Sequence, residues 1–242
     1  MKQPLVMLHG FGCDSRIFGS IGTKLSKDYD VSMVDLPGHG QTKEHFRDFS
    51  FSAYTILHAL EGYLKEPYHL LGWSMGGQVA LEMFKQDPKL IKSLILISST
   101  PRFVESDDFK IGMNKAVFNK FNKGIKNDAK KTMDDFYHLM FTDNENASLP
   151  LSDLQSQTPS QTTLLECMES FERFDYRKLL PQIDSPTLIF TGDKDKIIDP
   201  KASLFLSQEI KGSAVKVFKD TGHAPHLTRE KEILDELKKF LG

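Results

Sequence analysis

Ser74, His223 and a choice of two aspartates are the side chains whose types and surroundings suit acyl-transfer chemistry. Ser74 lies in Gly72-Trp73-Ser74-Met75-Gly76-Gly77, where an apolar run beginning at Tyr68 meets a serine held between glycines and passes into the helical-looking stretch 78–84. A Gly-x-Ser-x-Gly turn forces its serine into a strained backbone conformation at the carboxyl end of a strand, and only glycines beside it let strand and helix approach closely. The helix that begins there presents unpaired N–H groups, so Met75 N–H is placed to donate to an oxyanion forming on a carbonyl attacked by Ser74. Downstream, Asp193 and Asp195 follow an apolar run at 187–190, and His223 follows another at 214–218. Ser, Asp, His is the chain order in which a nucleophile on such a turn finds its partners. The histidine removes the serine proton and returns it to the leaving group, while a buried carboxylate fixes the imidazole tautomer and stabilises the imidazolium. A serine between glycines is often only a turn; the strand before it, the helix after it and the partners downstream raise this one above a chance match.

These residues need a scaffold that delivers them from strand ends, and the sequence alternates accordingly. Apolar runs at 5–8, 31–34, from Tyr68, at 94–97, 187–190 and 214–218 are separated by stretches of helical spacing at 15–25, 50–64 and 229–241. Strand and helix in alternation predict an α/β fold, a doubly wound and mostly parallel sheet with its site at the carboxyl ends of the strands. His9 reads as a loop brace, and 35–40 as a turn-rich loop; there is no Walker pattern. The alternation breaks from about 102 to 178, a helical-looking stretch that holds eight of the 18 phenylalanines. It reads as an inserted helical cap, 102–178, closing over Ser74, with 1–101 and 179–242 forming the core.

At 242 residues the chain suits one domain carrying an insertion. Hydrophobic residues make up 39%, charged residues 26%, and the net charge is -2, so nothing global points to nucleic acid or an anionic membrane. Cys13 and Cys167 form no metal-ligand spacing and suit a reducing compartment. The amino-terminal apolar run is too short for a signal peptide, and no segment approaches the roughly 18 apolar residues of a membrane span. A soluble, cytoplasmic protein without metal or cofactor is expected.

Charge is uneven locally. Residues 109–131 contain seven lysines against the single acid Asp128. If 115–130 is one helix, Lys115, Lys123, Lys126 and Lys130 fall on one side and Val117, Phe118, Phe121 and Ile125 on the other. Such a basic face is usually just solvated; a docking surface for an acidic partner is the sharper alternative. Gly124 weakens that helix by roughly 1 kcal/mol relative to alanine, enough to split it in two.

With its Gly-x-Ser-x-Gly turn and its Ser, Asp, His order, nearly the whole chain resembles the α/β-hydrolase superfamily. Gly72-Trp73-Ser74-Met75-Gly76-Gly77, Ser98-Ser99-Thr100-Pro101-Arg102-Phe103 and His223-Ala224-Pro225 narrow the resemblance to the pimeloyl-acyl carrier protein methyl ester esterases, the BioH-like group of biotin synthesis. The superfamily pattern Gly-x-x-Asp, counted from Gly192, selects Asp195 as the triad acid and leaves Asp193 as a loop cap. The resemblance implies Phe11 N–H as the second oxyanion donor. It also implies hydrolysis of a methyl ester on a pimeloyl chain carried by acyl carrier protein, with Phe11, Trp73 and Phe136 lining the acyl channel. By the same resemblance the carrier would meet the basic cap face, Lys115, Lys123, Lys126, Lys130 and Lys131. Two departures stand out: Asp135 occupies a position where the group has a carrier-binding arginine, and 144–160 has no arginine at all. The sequence also starts almost directly at the first buried strand, without the antiparallel hairpin common in the superfamily, a departure expected to trim the sheet edge without touching the site.

Rival readings keep the same triad: a general short-chain carboxylesterase or thioesterase, or a hydrolase or lyase of the menaquinone-pathway type. The last would want cations inside its pocket for a polycarboxylate substrate, whereas the cap interior is phenylalanine-rich. A non-catalytic receptor on this scaffold would ordinarily have lost the base or the nucleophile.

Overall fold

The apolar runs form a single six-stranded, all-parallel sheet in the order β2-β1-β3-β4-β5-β6. The computed structural model describes residues 2–64, 66–145 and 151–242. The strands are β1 (Pro4–Leu8), β2 (Asp30–Val34), β3 (Tyr68–Trp73), β4 (Ile91–Ile97), β5 (Thr187–Gly192) and β6 (Ala214–Phe218). Around them pack α1 (Gly19–Leu25), α2 (Phe49–Glu61), α3 (Met75–Gln86), α8 (Pro200–Glu209), α9 (Pro225–Thr228) and α10 (Glu230–Leu241). Between β4 and β5 lie α4 (Lys115–Asn127), α5 (Ala129–Leu139), α6 (Leu151–Gln155) and α7 (Gln161–Arg173).

Burial follows position in the sheet. Every residue of β3 and β5 is buried, as strands covered on both faces must be, while the edge strands β2 and β6 are largely exposed or half-buried. The order of the strands fixes the site. From β1 the chain moves outward to β2, then returns to the other side of β1 for β3 and continues in that direction. The loops after β1 and β3 therefore diverge at the point where the winding reverses, and a crevice opens there at the carboxyl ends. Phe11 stands on the first of these loops and Ser74 on the second.

The two ends of the helical segment meet: Tyr176 N–H donates to Pro101 O at 2.8 Å, and Arg102 pairs with Asp175 at 3.1 Å. Inside the segment one expectation is corrected. The basic stretch 115–130 is two helices, because Asp128 leaves helical geometry (φ -154°, ψ 86°) and caps α5 by accepting Lys131 N–H at 3.0 Å. Gly124 is not the break. Helix α4 runs through it, and the missing side chain admits the first turn of α5, since a Cβ at Gly124 would sit 2.8 Å from Thr132 Oγ1. Lys115, Lys123 and Lys126 thus lie on α4, and Lys130 and Lys131 on α5.

Candidate active site

Ser74 occupies the expected turn, with φ 53° and ψ -116°, a left-handed backbone that a non-glycine residue adopts only when its surroundings impose it. The imposing contacts are explicit. Ser74 N–H donates to Ile97 O (2.8 Å), and Ser74 O accepts from Gly77 N–H (2.9 Å) and from the Ser99 hydroxyl (3.1 Å). A Cβ on Gly72 would lie 2.4 Å from Gly76 O, and one on Gly76 2.2 Å from Leu8 O. Both glycines are therefore demanded by backbone packed on backbone.

Three side chains converge. The Ser74 hydroxyl donates to His223 Nε2 at 2.9 Å, and His223 Nδ1–H donates to Asp195 Oδ2 at 2.7 Å. Asp195 is held from behind: its Oδ1 accepts from Ile197 N–H (2.8 Å) and Ile198 N–H (3.0 Å). With one oxygen committed to the backbone, the other is left for the imidazole, which selects the tautomer whose Nε2 lone pair faces the serine. All three residues are buried. Asp193 is not part of this chain; its Oδ1 accepts Thr221 N–H at 3.4 Å and braces the loop leading to His223. Met75 opens α3, where the first turn has no intrahelical acceptor for its N–H.

In front of Ser74 lies a cavity of about 100 Å³ lined chiefly by apolar side chains, with Lys196 at its edge. Phe11 is its hub: its ring packs edge-on against Phe136 (5.6 Å), Phe171 (5.6 Å) and Phe121 (6.1 Å), the last three all from the helical segment. Phe11 and Phe136 line this cavity. Trp73 does not, because its side chain turns behind the histidine instead. It is fully buried, its indole N–H donates to His223 O at 3.0 Å, and its ring packs on His223 and His226. Sequence reasoning also passed over Phe103, Met113, Met168 and Phe171 as lining residues, and nothing in the spacing marks them apart from the rest of the segment's apolar positions.

The lysines divide. Lys130 pairs with Asp134 (2.9 Å) and Lys131 with Asp135 (3.0 Å), each one helical turn away on α5, and Lys115 stands 4.0 Å from Glu172. Lys123 and Lys126 are exposed and have no ion-pair partner among the described residues.

His9 braces the loops, accepting Leu36 N–H at Nε2 (3.0 Å) while its Nδ1–H donates to Gly10 O (2.9 Å). Burial, the dominant cause, lowers its pKa to about 4 and those of His39 and His226 to about 3. These groups bind protons more weakly folded than unfolded, so their contribution is whole above pH 6.5 or so and is lost as pH falls toward about 4 and 3. Each adds a slope of roughly 1.4 kcal/mol per pH unit inside that window. His226 has a second handicap. Neither of its ring nitrogens has a hydrogen-bond partner among the described residues, and the ring sits between Phe18 and Trp73. His226→Phe is expected to stabilise the fold by about 1–3 kcal/mol at neutral pH and to flatten the acid side of a Tm-versus-pH curve. A Tm at or below that of the parent would refute this account of the ring.

The family described as alpha/beta hydrolase fold matches residues 3–230. The chain belongs to that family. A pimeloyl-[acyl-carrier protein] methyl ester esterase of Nitrosomonas europaea is 31% identical over 229 residues, covering 93% of this chain and 90% of the relative. One from Neisseria meningitidis is 32% identical over 231 residues, covering 93% and 88%. Among solved structures, an esterase from Exiguobacterium antarcticum superposes with a TM-score of 0.90 at 25% identity, covering 98% of this chain and 91% of that one. Among the described residues no helix is long and apolar enough to cross a membrane, and no group of three or more His, Cys, Asp or Glu could hold a metal ion.

Proposed function

We propose that this carboxylic ester hydrolase cleaves the methyl ester of a pimeloyl chain carried on acyl carrier protein, through an acyl-enzyme on Ser74. The observation that carries the chemistry is the unbroken hydrogen-bonded chain from Ser74 through His223 to Asp195, opening onto an apolar cavity. The substrate rests on the relatives that bear that name over nine-tenths of the chain.

In this reading Ser74 Oγ attacks the ester carbonyl as His223 Nε2 takes its proton, and the oxyanion is held by the N–H groups of Met75 and Phe11. Collapse releases methanol, protonated by His223. Water, deprotonated by the same imidazole, then attacks the acyl-enzyme and frees the carboxylate. The segment 102–178 serves as a cap whose phenylalanines meet Phe11 and hold the acyl chain. The cavity shares Met113, Val117, Lys196 and Ile197 with a wider adjoining cleft, so an acyl chain held at Ser74 has a way outward past the unbranched Met113.

Lys123 and Lys126 are the cap cations best placed for an acidic carrier, since Lys130 and Lys131 are already matched by acids one turn away. The test compares kcat/KM for pimeloyl-acyl carrier protein methyl ester with that for p-nitrophenyl butyrate at low and high salt. Lys123→Glu with Lys126→Glu is expected to raise KM for the carrier substrate about 3- to 10-fold at low salt and leave the small ester untouched. Equal effects on both substrates would remove the docking face. No preference for the carrier substrate would leave a capped short-chain carboxylesterase, a reading that the small apolar cavity also favours.

A further inference from the structure

The loop that carries His223 is fastened to the helical segment by bonds in which the proposed chemistry takes no part. His223 N–H donates to Met140 O at 2.7 Å, just beyond the end of α5. Gly222 N–H donates to Glu145 Oε2 at 2.9 Å, and the Thr228 hydroxyl donates to Glu145 Oε1 at 2.7 Å. Glu145 Oε2 also accepts Thr142 N–H at 2.7 Å, which closes its own turn. One carboxylate therefore gathers a donor from its own turn and two donors that bracket His223 in sequence. Gly222 leaves no slack in this contact, because a Cβ there would lie 2.4 Å from Met140 O and 2.9 Å from Glu145 Oε2.

The histidine is consequently fixed at every polar atom. Met140 takes its N–H, Trp73 holds its carbonyl, Asp195 takes Nδ1–H and Ser74 meets Nε2. Of these, only the grip on the peptide backbone comes from outside the triad, and Glu145 is the side chain that seats the 140–145 turn against it. We infer that Glu145 is a positioning residue: it clasps the histidine loop to the helical segment so that the imidazole stays in line with both Ser74 and Asp195. It acts through His223 rather than on the substrate. Hydrogen bonds to a carboxylate are shorter and stronger than neutral ones, and its two oxygens have lone pairs enough for three donors. A glutamine could still serve. Its single oxygen accepts the two N–H groups at the Oε2 position, and its NH₂ meets the Thr228 oxygen, which accepts as readily as it donates. An alanine removes all three bonds and frees the loop.

The inference rests on the triad reading, so Ser74→Ala is included in the same experiment. Parent, Glu145→Ala, Glu145→Gln, Thr228→Val and Ser74→Ala are compared for kcat and KM on p-nitrophenyl butyrate. In the four proteins that keep Ser74 the sites are titrated to completion with a fluorophosphonate so that kcat is expressed per competent Ser74, and Ser74→Ala is expressed per mole of folded protein. Glu145→Ala is expected to lower kcat per site about 10- to 100-fold, the scale of a displaced catalytic group, with KM within about 2-fold of the parent. Labelling of Ser74 should slow in proportion, since that reaction also needs His223 to take the serine proton. Glu145→Gln should stay within about 3-fold of the parent, because it keeps the geometry of the bonds. Parental kcat per site in Glu145→Ala would overturn the inference, and so would a glutamine variant as damaged as the alanine one. If Glu145→Ala does not fold, Thr228→Val decides: about a 3-fold or larger fall in kcat at unchanged KM supports the clasp, and a parental kcat overturns it. Activity retained in Ser74→Ala would instead bring down the triad reading itself.

Discussion

Ser74→Ala is expected to hydrolyse p-nitrophenyl butyrate at least about 10⁴-fold more slowly than the parent while keeping its fold, and His223→Ala should fall as far. Alanine accepts the same strained φ of 53° no less easily than serine does, and the bonds that enforce that backbone run through Ser74 N–H and O rather than through its hydroxyl. The loss is therefore chemical, and an unchanged Tm should accompany it. Asp195→Asn makes a sharper test of the geometry. Ile197 and Ile198 N–H both point at Oδ1, so an asparagine must present its oxygen to them and its NH₂ to His223 Nδ1. A donor at that place forces the proton onto Nε2, where it faces Ser74 and cannot accept the serine proton. The expected loss is roughly 10³- to 10⁴-fold in kcat from a change that alters neither volume nor packing. Measured kcat/KM for Ser74→Ala within tenfold of the parent would remove Ser74 as the nucleophile.

The parts of this site legible in the sequence are those whose chemistry leaves a local mark. The Gly72-to-Gly77 turn announces strand, serine and helix within a few residues, because only glycine survives where one backbone crosses another. Gly192 followed by Asp195, and His223 after an apolar run, are local in the same sense. What spacing could not reveal depends on distant parts of the chain. Trp73 adjoins the nucleophile in sequence, yet alternation along a strand sends successive side chains to opposite faces, and it is the carbonyl of His223, 149 residues beyond Ser74, that its indole finds. The basic stretch misled for a related reason. A helical wheel drawn across 115–130 has no means of seeing that Asp128 prefers to cap a new helix, nor that Gly124 is small because Thr132 needs its place. Glu145 is more remote still: its partners, Gly222 and Thr228, are separated from it by 77 and 83 residues.

Gly76→Ala should rank with the most damaging single-methyl changes among the described residues, and it tests how the serine turn is built rather than what it does. The added Cβ would lie 2.2 Å from Leu8 O and 2.6 Å from His9 O, backbone atoms of the interior strand β1 and the loop after it. A clash with the tip of a flexible side chain is relieved by a rotamer change. A clash with a strand carbonyl is relieved only by moving α3 away from the sheet or by bending β1, and β1 is paired on both sides, to β2 and β3. Either movement opens the packing of Val79 and Met83, both fully buried on α3, and shifts the helix start that supplies Met75 N–H. The expected cost is at least about 3–5 kcal/mol, the range of severe core strain, which amounts to a large share of a domain's net stability. Urea melts should show a lower midpoint with the slope unchanged. Whatever folded fraction remains should label poorly with a fluorophosphonate, because Ser74 and Met75, the proposed oxyanion donor, stand at the start of the displaced helix. A Gly76→Ala protein with parental stability and labelling would mean that α3 does not lie as close to β1 as the strained turn requires, and the account of why Ser74 is held at positive φ would fall with it.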